Sequence, residues 1–161
     1  MRTWLFIVLV AIAAASCSKK GDYKEILTSH PWQYDEAAIR DSMRNKPISD
    51  MEKNLLDATM ARLKGGSLTF KPDGELVIKL KDGSETIGGW KLSNDGKELF
   101  MATTKMQADG NPILEFTSER IILAATKQRG LIFPKILVPY DPNAKPAEPQ
   151  QQEPVTQDTA Q

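Results

Sequence analysis

Between residues 65 and 140 the chain consists of short segments in which apolar and polar positions alternate, separated by tight turn signals. In one segment Leu76, Ile78 and Leu80 occupy every second position, and Lys79 lies on the opposite side. Such alternation is typical of a strand with one face in a core and one face in water. We therefore predict a series of antiparallel strands along this part of the chain.

Turn signals divide this region into seven strands. Asp-Gly pairs at residues 73–74 and 82–83 are hairpin signals, and Asn-Asp-Gly-Lys at residues 94–97 is another. We interpret residues 109–112 (Asp-Gly-Asn-Pro) as a loop and the Ser-Glu pair at residues 118–119 as a further turn.

Two segments before residue 65 have a helical period instead. Residues 48–64 predict a long helix, because Ser49 and Glu52 have the spacing of a capping box. Its predicted apolar face consists of Met51, Leu55, Leu56, Met60 and Leu63. Residues 23–27 predict a short helix, and residues 32–39 predict the first strand.

These elements predict a mainly β fold: an eight-stranded antiparallel up-and-down barrel with one helix inserted after the first strand. A flat sheet of this kind would leave two unprotected edges, which closure removes. The pair Gly88-Gly89 inside a predicted strand indicates the bend that closure requires. Alternation predicts an interior lined by Leu68, Phe70, Leu76, Ile78, Leu80, Trp90, Leu92, Leu114, Phe116, Ile121 and Leu123.

An eight-stranded barrel has room either for side chains alone or for one small ligand. If the long helix is a lid over one end, the candidate ligand cavity is lined by Leu56, Met60, Phe70, Ile78, Leu80, Trp90, Leu92, Phe116 and Leu123. An apolar wall of this kind suits a fatty-acyl or similar ligand. The alternative is that the same residues fill the interior, since close packing is the usual state of protein interiors.

The first sixteen residues have the features of an export signal. Arg2 precedes an apolar segment, residues 4–15, that is shorter than the roughly 20 residues a membrane-spanning helix needs. Residues 14–17 (Ala-Ala-Ser-Cys) follow and resemble the lipobox of bacterial lipoproteins. The resemblance implies cleavage before Cys17, a diacylglyceryl group on its sulfur, and a lipidated polar tether over residues 17–22. The alternative is an ordinary signal peptide followed by an incidental cysteine.

The last segment, residues 141–161, is rich in proline and glutamine, and Val155 is its one large aliphatic residue. Such a segment cannot bury enough apolar surface to offset the entropy lost on ordering. We predict a disordered tail, which leaves residues 23–140 as the folded domain.

Composition restricts the function further. The chain has 21 basic and 21 acidic residues, which does not favour nucleic acid as a partner. Its single cysteine excludes an intramolecular disulfide, and its single histidine, His30, excludes the usual multi-histidine metal sites. We expect no cofactor and no metal. We also do not expect an enzyme, because acid–base catalysis needs positioned titratable groups and the predicted inward positions are almost all apolar.

A lipobox, an early tryptophan (Trp32), the Asp-Gly step at residues 73–74, and Gly-Trp at residues 89–90 followed by residues 94–97 occur in this order. Together they resemble the lipocalin-like domain of small bacterial lipoproteins, over residues 23–140. The resemblance implies a barrel anchored to the bacterial cell envelope through Cys17. By analogy with lipoprotein sorting rules, Ser18 after the cysteine favours the outer membrane.

Two functions follow from these predictions. The first is a structural or partner-binding envelope lipoprotein with a packed barrel and a protein partner in the envelope. The second is binding or carrying a small apolar ligand, such as a fatty acid or lipid, inside the barrel. The volume inside the barrel distinguishes them.

Overall fold

The computed structural model describes residues 18–103, 106–126 and 133–143. The predicted signal peptide, Cys17 and most of the predicted tail lie outside these ranges. Within them the chain forms helices α1 (Ser18–Thr28), α2 (Glu36–Met43) and α3 (Asp50–Leu63). The strands are β1 (Trp32–Tyr34), β2 (Ser67–Phe70), β3 (Glu75–Lys79), β4 (Glu85–Leu92), β5 (Glu98–Thr103), β6 (Met106–Phe116), β7 (Ile121–Leu123) and β8 (Lys135–Pro139).

The eight strands form a closed antiparallel barrel in which each strand pairs with its neighbours in sequence. Closure occurs at β1, where Trp32 pairs with Leu68 of β2 on one side and with Pro139 of β8 on the other. The predicted fold, a barrel with a helix after the first strand, is confirmed. The first strand is shorter than predicted, because Asp35 caps a second helix, α2, in the same connection.

The predicted capping box at the start of α3 is present. The Ser49 side chain accepts a hydrogen bond from the Glu52 amide, and the Glu52 carboxylate accepts one from the Ser49 amide at 2.7 Å. Two backbone donors at the helix N-terminus are thereby satisfied.

The bend predicted at Gly88 coincides with a close approach of two strands. A Cβ atom on Gly88 would lie 2.0 Å from the carbonyl oxygen of Ala102 in β5. Only glycine lets β4 and β5 come this close, which supports the curvature of the closed sheet.

The interpretation of residues 109–112 as a loop is wrong. Strand β6 runs through them, with Pro112 paired with Glu98 and Met106 paired with Thr103. The buried side chain of Asn111 compensates for the turn-forming sequence, because its amide donates a hydrogen bond to the Leu99 carbonyl of β5 at 2.9 Å. A local turn signal is here overridden by pairing with the neighbouring strand.

The inward position predicted for Leu114 is also wrong, since this side chain is 67% exposed. Ile113 pairs with Leu123 and Glu115 pairs with Ile122, so β6 has one more residue than β7 between these two pairs. Leu114 is the additional residue of this bulge. The extra residue shifts the alternation, so that Ile113 and Phe116 both pack against the core.

Two hydrophobic clusters stabilise the fold. The inner cluster fills the barrel and consists of Leu27, Trp32, Leu68, Phe70, Leu76, Trp90, Leu92, Leu99, Met101, Ile121, Leu123 and Leu137. The outer cluster consists of Ile39, Met43, Leu56, Met60, Phe133 and Ile136. Ile136 lies between the inward positions of β8, so α2 and α3 pack against the outside of the barrel wall.

Helix α1, rather than α3, covers an end of the barrel. Leu27 of α1 belongs to the inner cluster, and Tyr23 stacks on Phe116 with ring centroids 4.1 Å apart. We call this the α1 end; the turns at residues 71–74, 93–97 and 117–120 lie there. The opposite end carries the β3–β4 turn at residues 80–84.

Candidate functional site

The nine residues predicted to line a ligand cavity do not form one site. Phe70, Trp90, Leu92 and Leu123 are buried in the inner cluster, and Ile78 and Phe116 are partly buried against it. Leu80 is half-buried beside the β3–β4 turn. Leu56 and Met60 belong to the outer cluster, so the helix that was expected to be a lid contributes to the wall from outside.

The exposed side of α3 also differs from the sequence prediction. Leu56 and Met60 are buried, but Met51 is 76% and Leu55 is 40% exposed. Arg40 of α2 bonds Asp57 of α3 at 2.5 Å, which orients the two helices on the wall. The apolar face of α3 is therefore wider than the surface that it buries, and Met51 and Leu55 remain in solvent.

The interior keeps a cavity of about 60 Å³. It is lined by Tyr34, Leu68, Leu76, Ile78, Met101, Ala102, Thr103, Asn111 and Lys135. Ile78 is the one residue of the predicted cavity set among them.

Two polar side chains in this lining escaped the sequence analysis. Asn111 is 2% exposed, and its carbonyl oxygen accepts a hydrogen bond from the Lys135 ammonium at 2.5 Å. Asn111 lies within residues 109–112, which the sequence analysis interprets as a loop. Lys135 alternates with Leu137 along β8, as an inward residue would. That alternation was the signal that could have found it.

Tyr34 lies at the junction of the two clusters and contacts residues of both. Burial raises the pKa of its hydroxyl to about 12. The side chain is therefore neutral near pH 7. The neutral Tyr34 and the Lys135–Asn111 pair therefore add polar groups to a cavity wall that is partly apolar.

His30 lies at the α1 end, away from this cavity. Its Nδ1 atom is 3.0 Å from the Pro31 carbonyl oxygen and its Nε2 atom is 3.3 Å from the Ser118 carbonyl oxygen. The ring links the start of β1 to the β6–β7 turn, which is a structural role. In the described part of the chain no three His, Cys, Asp or Glu side chains come together as metal ligands.

Comparison with known proteins does not assign this chain to a family. No family model matches the chain, and no curated protein matches it. A solved structure of a DUF4847 family protein from Bacteroides vulgatus is 14% identical, with a TM-score of 0.45. The match covers 75% of this chain and 99% of that one. Among the described helices none has the length and hydropathy needed to cross a membrane.

Proposed function

We propose that this protein is a lipid-anchored module of a bacterial cell envelope whose barrel is a packed scaffold that acts through its surface and not by catalysis. The observation that supports the scaffold is the filled interior: twelve buried residues and helix α1 leave a cavity of about 60 Å³. Pockets for small molecules usually measure about 300–1,000 Å³.

The anchor is proposed from the sequence alone. A single cysteine after three small residues and an apolar export segment suits acylation at Cys17. Two or three acyl chains hold a protein firmly, since each buried methylene contributes about 0.8 kcal/mol. Ser18 favours the outer membrane as the destination, and an envelope protein is then the expected partner.

Among the described residues, an exposed apolar pair on α3 is a candidate contact for such a partner. Met51 and Leu55 are four residues apart on α3, so they form a small exposed apolar pair on one side of the helix. Single exposed apolar residues are ordinary, but an adjacent pair on a helix suits a contact with another protein.

The test of the anchor is metabolic labelling with an alkyne fatty acid, followed by membrane fractionation. The wild-type chain should incorporate the label and sediment with membranes, and Cys17→Ala should do neither. Ser18→Ala retains the cysteine and is the matched control for labelling. A Cys17→Ala chain that stays with membranes after a salt wash would contradict the proposal.

A second candidate function is binding of a small apolar ligand. It is favoured by the apolar part of the cavity wall, which Leu68, Leu76 and Ile78 form next to a void that already exists. Mass spectrometry of protein extracted from its native membrane tests this candidate. Stoichiometric retention of a fatty acid or lipid, beyond the chains attached to Cys17, would support it against the packed scaffold.

A further inference from the structure

The connection between the predicted anchor and the barrel is short and helical. The helix begins at Ser18, directly after Cys17 in the sequence, and includes residues 18–22 that were expected to be a tether. Tyr23 is already packed on the barrel through Phe116. At a rise of about 1.5 Å per residue, the five steps from Ser18 to Tyr23 correspond to about 7.5 Å, and Cys17 is the next residue in the sequence.

The far end of α1 is fixed just as firmly. Leu27 is fully buried in the inner cluster, and its carbonyl oxygen accepts a hydrogen bond from the indole N–H of Trp32 at 3.1 Å. The Tyr140 amide donates to the Pro31 carbonyl at 2.9 Å, which ties the following segment to the end of β8. The helix therefore cannot swing away from the barrel without opening the core.

Charged groups at the α1 end are mixed in sign. Lys97 lies 3.7 Å from Asp95 within the β4–β5 turn. Arg120 of the β6–β7 turn pairs with Glu115 at 2.9 Å. A polar surface with both signs of charge is compatible with lipid headgroups but does not drive insertion into a bilayer. The orientation of the barrel would therefore be set by the length of the connection to the acyl chains.

We propose that the α1 end is a membrane-apposed surface, which the short helical connection to an acylated Cys17 holds against lipid headgroups. The opposite end, with the β3–β4 turn, then faces away from the membrane. This inference rests on the proposed function, because it requires the lipid anchor. The partner proposed for the α1 end is a phospholipid surface.

The test uses full-length protein purified from membranes, in which the acylated Cys17 carries no free thiol. Asn94→Cys places one spin label at the α1 end, and Lys81→Cys places one beside the β3–β4 turn. Both positions are exposed. Along tilted strands the two ends are separated by roughly 15–20 Å. The variants are reconstituted in phosphatidylethanolamine–phosphatidylglycerol vesicles that contain a nickel-chelating lipid, and spin relaxation is measured on vesicles recovered by flotation.

The expected result is a relaxation enhancement several-fold larger at residue 94 than at residue 81. The control inserts ten Gly/Ser residues between Cys17 and Ser18, a linker that spans roughly 17–19 Å on average. This insertion should bring the ratio of the two enhancements close to one.

Equal enhancements in the vesicle-bound protein would overturn the orientation but leave the anchor intact. A ratio that does not change with the linker would also overturn it, because the surface and not the anchor would then set the orientation. Protein that fails to float would contradict the lipid anchor itself, and the orientation with it.

Discussion

The indole N–H of Trp32 donates a hydrogen bond to the carbonyl oxygen of Leu27 at 3.1 Å, and both side chains are completely buried. This bond joins the helix that closes the α1 end to the first strand of the barrel. It links residues five positions apart, yet it fixes α1 on a core assembled from strands along the whole domain.

Trp32→Phe should therefore destabilise the protein. The substitution keeps a ring in the core but leaves the Leu27 carbonyl without its donor, which costs about 1–3 kcal/mol for a buried group. Urea unfolding gives the change in free energy. Hydrogen exchange should show the largest loss of protection in α1. Protection lost uniformly, or not at all, would indicate that this bond does not hold α1 on the barrel.

The second tryptophan of the core is predicted to be as important. Trp90 lies in the inner cluster, edge-on to Phe70 with ring centroids 5.7 Å apart, as the alternation in the sequence predicts. Trp90→Ala should cost about 3–5 kcal/mol. Ile87→Ala in the same strand is the control, because Ile87 points outward and is 56% exposed. Similar effects of the two substitutions on thermal unfolding would contradict the assigned faces of β4.

Tyr34 should make the stability depend on pH in the alkaline range. Its pKa is raised by burial to about 12 in the folded protein, against about 10 in an unfolded chain. Below pH 10 the hydroxyl is neutral in both states. As the pH rises toward 12 only the unfolded state releases the proton, so folding is progressively disfavoured, by up to about 1.4 kcal/mol per pH unit.

Urea unfolding of wild type and Tyr34→Phe at several pH values from 7 to 12 measures this effect. The difference at pH 7 reports only the packing of the hydroxyl. Between pH 10 and 12 the wild type should lose stability more steeply than the variant. Parallel curves for the two proteins would show that Tyr34 is not buried as described.

Most of the barrel could be predicted because alternation is a local property. Leu76 and Leu92 lie on the predicted face, and the turns at residues 73–74 and 82–83 separate the predicted strands. The face of β6 could not be predicted, since one additional residue at Leu114 inverts the alternation and nothing local marks it. Asn111 was missed because Asp-Gly-Asn-Pro has a strong turn preference that only the pairing with β5 overcomes.

The positions of the helices on the barrel could not be predicted from the sequence, for a different reason. Helical spacing shows which side of α3 is apolar, but not the surface that this side contacts. Helix α1 has a weaker pattern and yet covers the barrel end, because Leu27 and Tyr23 find partners in Trp32 and Phe116. The contact between Tyr23 and Phe116 joins residues far apart in the chain, so no local pattern reports it.

The arrangement of α3 on the outer wall predicts two kinds of substitution on one helix. Met51→Lys combined with Leu55→Lys should change the free energy of unfolding by at most about 1 kcal/mol, because Met51 is 76% and Leu55 is 40% exposed. Met60→Lys should be severely destabilising, since it places a charge in the outer cluster.

Thermal unfolding distinguishes these outcomes. The double variant is also the reagent for the partner surface, because it removes the exposed apolar pair without loss of the fold. A large fall in melting temperature for the double variant would mean that Met51 and Leu55 pack against a part of the protein outside the described residues.

The packed interior predicts how ligand binding changes when a core side chain is shortened. Wild-type protein should show no saturable binding of benzene or of a fatty acid at micromolar concentration, because a cavity of about 60 Å³ is too small for either. Apolar cavities of about 150 Å³ do bind benzene. Leu76→Ala enlarges the existing cavity from its own wall and should create a benzene site. Leu56→Ala, in the outer cluster, is the matched control and should not. Calorimetric titration measures both.

Saturable micromolar binding of a fatty acid by the wild type would replace the packed scaffold with a ligand-binding barrel. Failure of Leu76→Ala to bind benzene while it remains folded would mean that the interior collapses around the deleted side chain.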